Sequence, residues 1–304
     1  MSLDHLVSHI RAEIPELLIL EHEPMSKHTS FRIGGPVRAL VQPRSAGEVA
    51  AVCRLLRDAL VKPLILGNGT NLLVTDEPLN RVAVQFGERM SAIVPEGENG
   101  LRAECGVTLA RLAGEAQRLG LAGLEFAHGI PGSLGGGVSM DAGAYGGELK
   151  DVVVSTRYLD EELNLRECVG EEHDFAYRHS RFSDTDCVIL DSTVRLTPDD
   201  PEAIMERMMT LREKRRASQP LEMPSAGSTF KRPVGGYAAA LIDQAGLKGY
   251  AIGGAQVSEK HGGFVINRGG ATFDDVLRLI DHIRNEVYKM SGITLETEVK
   301  IIRE

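Results

Sequence analysis

Apolar residues recur at Leu3, Leu6, Val7 and Ile10 near the start of the chain. That spacing predicts a helix over 3–12, because it lines one face of a 3.6-residue period. Lys27–Gly35 closes on a Gly-Gly turn signal, and 38–43 read as a strand. Ser45 with Glu48 three positions on predicts a capping box. The helix it opens turns Val49, Val52, Cys53, Leu55 and Leu56 inward. Short apolar runs predict strands at 64–66 and 72–74, and further strands fall at 81–86 and 101–106. Thr108–Leu119 is helical with Gly120 as its stop. Strands follow at 151–160, 163–169 and 187–196.

Composition shifts after Pro198-Asp199-Asp200-Pro201. A charged helix over 201–216 runs into Gln219-Pro220, and a short helix is expected at 238–245. Met205, Met208 and Met209 on the charged helix read as packing residues. Thr272, with Asp275 three on, opens a long helix whose apolar face is Val276, Leu279, Ile280, Ile283 and Val287. Two domains are expected, 15–198 and 199–304. Strands and helices do not alternate regularly enough for a doubly wound sheet, so the expected class is α+β.

With 304 residues, 42% hydrophobic and 25% charged, the chain has enough apolar material for a sizeable core. A net charge of −9 argues against nucleic-acid binding, which needs a basic footprint. No apolar run is long enough to span a membrane, and Met1–His5 lacks the start of a signal peptide, so a cytoplasmic location is expected. Cys53, Cys105, Cys168 and Cys187 lie at least 19 positions apart, and no H-E-x-x-H occurs. Buried thiols and no metal are the expectation.

The glycines carry more information. Gly67-Asn68-Gly69 follows an apolar strand, but Leu72 stands where a dinucleotide fingerprint has its third glycine, and a strand follows instead of a helix. A plain tight turn remains an alternative there. Residues 129–147 hold eight glycines in 19 positions, interleaved with Ile130, Met140 and Tyr145. Glycine costs backbone entropy, so such density points to close approach of backbone to a ligand. Successive N–H groups in such loops form anion-binding concavities, and two loops suggest one extended ligand with a pyrophosphate.

Six segments, in order over about 28–302, resemble the UDP-N-acetylenolpyruvoylglucosamine reductases. They are Leu66–Leu73, Ile130–Ser133 with Asp141–Gly146, Tyr177–Phe182, Ala226–Pro233, Gly246–Gly249 with Ile252–Ala255, and Leu295–Val299. His28 and Asp141 stand where the family commonly has Asn. There is no room near 178–195 for the extra tyrosine-bearing loop of the longer subtype, so the shorter one is expected. The resemblance implies a two-lobed FAD-binding module of the vanillyl-alcohol-oxidase type, followed by a smaller α+β substrate domain. It implies non-covalent FAD held by Gly67, Asn68, Gly69, Thr70 and Asn71 in the first loop. In the second loop it implies Ile130, Pro131, Gly132, Ser133, Gly135, Gly136, Ala142 and Gly143.

The implied reaction is reduction of the enol ether of UDP-N-acetylglucosamine enolpyruvate, with NADPH as reductant. Another flavin-dependent enzyme on the same module, a sugar or alcohol oxidase, is the alternative. A non-enzymatic nucleotide-binding protein is a rival of another class. By resemblance Ser228 is the proton donor, Arg178 stabilises the developing enolate, and Glu298 pairs with Arg178 and the substrate carboxyl. Taken alone, Ser228 reads as a turn serine, Arg178 as a solvated arginine and Glu298 as the outer face of an alternating strand over 295–301. Glu296 is a decoy two residues from Glu298. Arg216, at the end of the basic cluster with Arg212, Lys214 and Arg215, joins Lys231, Arg232 and His261 as candidates for the substrate's diphosphate and carboxylate. The implied partners are the UDP-sugar and NADPH, with no nucleic acid, membrane insertion or protein partner.

Overall fold

Side-chain caps set where the helices begin. Ser2 accepts the His5 N–H ahead of Leu3–Glu13, Ser45 the Glu48 N–H ahead of Ala46–Asp58, and Thr108 the Arg111 N–H ahead of Leu109–Arg118. Each satisfies a donor that a helix start leaves open, worth about 1 kcal/mol. At Ser45 the carboxylate half of the expected box is displaced by one residue. Glu48 takes the Arg44 N–H at 3.0 Å and the Arg44 side chain at 2.8 Å. At Thr272 the box forms in both directions with Asp275, and Gly292, at φ +69°, closes helix Phe273–Ser291.

The computed structural model describes residues 2–303. Met1, the start of the N-terminal segment, and Glu304, the end of the expected second domain, lie outside them. The chain divides into two units. The first comprises 2–21, Arg38–Asn68 and Arg81–Lys214; the second comprises His22–Val37, Gly69–Asn80 and 215–303.

The first unit is built on two sheets. One has the order Leu18–Glu21, Val37–Gln42, Leu79–Gln85, Leu64–Leu66, with the last pair parallel. The other is antiparallel, in the order Leu165–Val169, Val153–Leu159, Val188–Arg195, Gly100–Glu104, Ile93–Glu96. Their core includes Val49, Val52 and Leu56 from one helix and Leu109, Leu112 and Ala116 from another. Leu55 is only partly buried. On the charged helix Pro201–Ser218, Met208 is packed in the core, whereas Met205 and Met209 are exposed, which corrects two of the three packing assignments.

The second unit has an antiparallel sheet in the order Ser225–Ser228, Phe264–Asn267, Ala255–Val257, Ala251–Ile252. Its core joins Val276, Leu279, Ile280 and Ile283 of the long helix to Phe31, Ile33 and Leu73 from the early chain. Those early segments are fastened by side-chain donors to backbone carbonyls. Asn267 Nδ2 donates to the Phe31 carbonyl at 3.1 Å, and Ser30 Oγ to the Ser225 carbonyl at 2.6 Å. Lys300–Ile302 pairs in parallel with Leu72–Val74. The units therefore interleave along the chain, where the sequence reading drew one cut at 198/199.

Candidate active site

In the first unit the two glycine loops meet. A Cβ added to Gly67 would lie 2.0 Å from Ser133 Oγ and 3.0 Å from its Cβ. Ser133 is buried and opens the short helix Leu134–Ser139. Around it, Leu134 N–H bonds the Val107 carbonyl and Gly135 N–H the Cys105 carbonyl, which fixes the loop against the neighbouring chain. Gly135 has no room for a side chain either, since its Cβ would sit 2.8 Å from that of Cys105. The Gly67 backbone thus abuts the Ser133 side chain where the loops cross, leaving no room for a side chain on Gly67; glycine-rich backbone of this kind fits the diphosphate of an FAD, a group held by main-chain N–H donors.

Asp141 sits within the second loop at φ +44°, fully buried. Its Oδ1 accepts the Lys150 N–H at 2.9 Å, while Oδ2 is buried without a hydrogen-bond partner. Burial, with Glu148 and Asp151 nearby, pushes its carboxyl above the usual range. Beside the same loop, His128 Nδ1 is buried without a partner, and burial and then Arg212 hold this imidazole below its ordinary value. Sequence reasoning passed over His128; its place directly before Gly129 was the available signal.

Arg178 also belongs to the first unit. Ala176 and His179 exchange backbone hydrogen bonds of 3.1 and 2.9 Å, making a tight turn with Tyr177 and Arg178 at its tip. Arg178 has φ +56°, the left-handed region a side chain adopts only at a cost. Its guanidinium lies 5.0 Å from the Tyr177 ring centre, and Nη2 reaches the Gly143 carbonyl of the second loop at 3.4 Å.

Ser228 and Glu298 belong to the second unit, on neighbouring segments. The expected Gly-Ser turn is instead a bulged strand. Ser225 pairs with Ile266 and Ser228 with Phe264, so one strand spends a residue more than its partner. Gly227, at φ +76°, absorbs the extra residue, and the bulge re-aims Ser228. Glu298 N–H bonds the Thr229 carbonyl at 2.9 Å, and Asn71 Nδ2 donates to the Glu298 carbonyl at 3.1 Å. The strand expected over 295–301 is regular only at Lys300–Ile302, preceded by a lone bridge between Phe230 and Thr297. The alternation survives in burial: Leu295 and Val299 are buried, Glu296 is exposed and Glu298 partly buried.

Of the basic candidates, Lys231 is paired with Glu296 at 2.5 Å, and Arg232 lies 4.3 Å over the Tyr237 ring. Arg216 is exposed, its carbonyl accepting Lys260 Nζ at 2.6 Å, while the preceding Arg215 is the buried member of the cluster. His261 Nδ1 accepts the Gly263 N–H at 3.1 Å, its ring edge-on to Phe264. Burial, with Lys248 adding to it, holds this imidazole below its ordinary value. In the first loop, Gly69 has φ +60°, and its Cβ would lie 2.0 Å from the His28 carbonyl. His28 itself holds Glu23 at 3.1 Å through Nε2. Among the described residues no cluster of His, Cys, Asp and Glu could hold a metal ion, and no helix is long and apolar enough to cross a membrane.

Two family models match. One is an FAD binding domain over residues 37–168; the other is the UDP-N-acetylenolpyruvoylglucosamine reductase C-terminal domain over 219–302. A UDP-N-acetylenolpyruvoylglucosamine reductase of Caldanaerobacter subterraneus subsp. tengcongensis is 45% identical over 299 residues, covering 98% of each chain. One of Clostridium botulinum is 45% identical over 286 residues, covering 94% of this chain and 93% of its own. The crystal structure of the Thermus caldophilus UDP-N-acetylenolpyruvylglucosamine reductase superposes with a TM-score of 0.80 at 30% identity. It covers 94% of this chain and 99% of its own. The expected α+β class, an FAD-binding module followed by a smaller domain, accords with these matches.

Proposed function

The chain belongs to the UDP-N-acetylenolpyruvoylglucosamine reductase family, and from that premise we propose how its residues divide the work. The protein is an FAD-dependent oxidoreductase that reduces UDP-N-acetylglucosamine enolpyruvate to UDP-N-acetylmuramate, a step of peptidoglycan precursor synthesis. The stretch matched by the FAD binding domain, residues 37–168, serves FAD, and residues 219–302 serve the UDP-sugar. NADPH is the reductant, as is usual for the family. The reaction takes place in the cytoplasm and needs no protein partner, nucleic acid or membrane insertion.

Bound FAD supplies the hydride chemistry. Gly67, Asn68, Gly69, Thr70 and Asn71 hold it from the first loop. Ile130, Pro131, Gly132, Ser133, Gly135, Gly136, Ala142 and Gly143 hold it from the second. The protein's own task is to make an electron-rich enol ether accept a hydride. Negative charge then builds toward the substrate's carboxylate as an enolate, and a preorganised cation lowers the energy of that state. Arg178 is that cation, because parallel guanidinium N–H donors match two carboxylate oxygens. Ser228 Oγ gives a proton to the alpha carbon. A serine hydroxyl is a weak acid, so it depends on neighbours that stabilise the alkoxide left behind. Glu298 orients the carboxyl end of the substrate. Arg216, Lys231, Arg232 and His261 receive the diphosphate and carboxylate, with Lys231 exchanging Glu296 for substrate.

The observation that supports this assignment best is the backbone bond from Glu298 to Thr229, directly after Ser228. Steady-state consumption of NADPH tests the reading. Consumption that requires the enolpyruvyl sugar nucleotide, and that falls sharply with NADH, is expected. Consumption indifferent to the sugar nucleotide would remove the substrate assignment.

A further inference from the structure

His173 stands outside every role given above, yet it is fully buried and fully hydrogen-bonded. Its Nδ1 lies 2.8 Å from the Gly170 carbonyl, which can only accept, so Nδ1 carries the proton. Its Nε2 lies 2.9 Å from Thr156 Oγ1, which in turn lies 2.8 Å from Ser192 Oγ. With the ring neutral, Nδ1 donates to Gly170, Nε2 accepts from Thr156, and Thr156 in turn accepts from Ser192. Thr156 and Ser192 are on paired central strands of the antiparallel sheet, Val153–Leu159 and Val188–Arg195.

The same residue frames the Arg178 turn. Its ring stacks on Phe175, with centres 4.8 Å apart at 7°, on the outgoing limb. It meets Phe182 edge-on at 6.3 Å on the returning limb. The Arg181 N–H closes onto the His173 carbonyl at 2.7 Å. A second anchor, Ser180 and Ser183 to the Ser139 carbonyl at 2.9 and 2.8 Å, ties the returning limb to the glycine-loop helix. Between the two anchors Arg178 keeps its left-handed backbone.

We propose that His173 is a positioning residue for the reaction, plugging the Tyr177–Arg178 turn into the sheet through Thr156 and Ser192 so that the guanidinium is preorganised for the substrate's carboxylate. This rests on the role given to Arg178 above. Preorganisation matters because a group misplaced by about 1 Å can lose about a hundredfold in rate.

The test uses the FAD-loaded protein and follows two steps separately: flavin reduction by NADPH, and re-oxidation by the enolpyruvyl sugar nucleotide. His173→Phe keeps an aromatic ring between Phe175 and Phe182 and removes both hydrogen bonds. Re-oxidation at saturating substrate is expected to slow about tenfold, with FAD content and flavin reduction unchanged. Thr156→Val, which leaves the 173–181 segment untouched, should slow the same step. His173→Gln, which can still accept from Thr156, should recover part of the rate. Equal slowing of both steps, or no slowing of re-oxidation in either Phe or Val variant, overturns the proposal. Arg178→Ala separates the two ideas. If it re-oxidises slowly while His173→Phe does not, positioning fails alone. If Arg178→Ala re-oxidises at the normal rate, the role of Arg178 falls and the positioning role with it.

Discussion

Gly67 and Ser133 touch so closely that a Cβ on the first would lie 2.0 Å from the hydroxyl oxygen of the second. The glycine is required here by close approach between the loops given to FAD. Gly67→Ala must displace Ser133, which is buried and cannot swing into solvent. FAD affinity should fall about tenfold or more, about 1.4 kcal/mol, read as lost yellow colour on dilution and a weaker binding isotherm. Adding Ser133→Ala removes the nearer clash and should restore part of the affinity. Full retention of FAD by Gly67→Ala would separate this crossing from the cofactor.

Ser228→Ala should leave reduction of the flavin by NADPH intact and slow re-oxidation by substrate by about 10² to 10⁴, the usual worth of a positioned proton donor. Stopped-flow absorbance measures both. Normal turnover in this variant would exclude Ser228 as the donor.

Glu296 and Glu298 share one side of an extended segment but differ in surroundings. The Glu296 side chain is 69% exposed and pairs with Lys231. An exposed pair is worth at most about 1 kcal/mol, so Glu296→Gln should change kcat less than about fivefold. Glu298→Gln should lower kcat by at least about tenfold. The reverse order would transfer the role to Glu296.

The four thiols should react with a thiol reagent in an order set by burial. Cys53 is pushed up to about 11 by burial. Cys105, fully buried and near Glu104 and Asp191, is raised further. Cys187 is the one thiol only partly buried. In native protein at mildly alkaline pH it should label first, and Cys105 only after denaturation. Mass spectrometry of labelled peptides reads the order; early labelling of Cys105 would contradict its packing.

His128, His173 and His261 are held below the ordinary imidazole value of 6.5, mainly by burial. A folded-state value below the unfolded one means that the unfolded chain binds more protons as pH falls through that range. Their contribution is fully present above the unfolded value and is lost as pH falls toward the folded one. Asp141 has the opposite sign, since its folded value is raised; its contribution is lost as pH rises through the folded value. Tm should therefore decline as pH is lowered below about 6.5, and His173→Gln should flatten part of that decline. A Tm that rose on acidification through this range would contradict neutral burial of these rings.

Local signals were legible in the chain. Thr108, Gly120, Thr272 and Asp275 mark helix ends because capping chemistry acts within three or four residues. Ser228 was found by motif but misplaced as a turn, because its bulge is defined by Ile266 and Phe264, some forty residues on. His173 carried no local signal at all: its partners Thr156 and Ser192 are brought to it by strand pairing. The early segments joined to the second unit were hidden for the same reason, since Phe31 meets Asn267 only after the chain has folded. Met205 and Met209 show that an apolar side chain on a charged helix need not face a core.

The most direct measurement is anaerobic. The purified yellow protein is reduced with NADPH, UDP-N-acetylglucosamine enolpyruvate is added, and flavin absorbance is followed. Prompt return of the oxidised spectrum, with one UDP-N-acetylmuramate formed per flavin, is the expected result. A flavin that stays reduced in the presence of the sugar nucleotide would contradict the assigned activity.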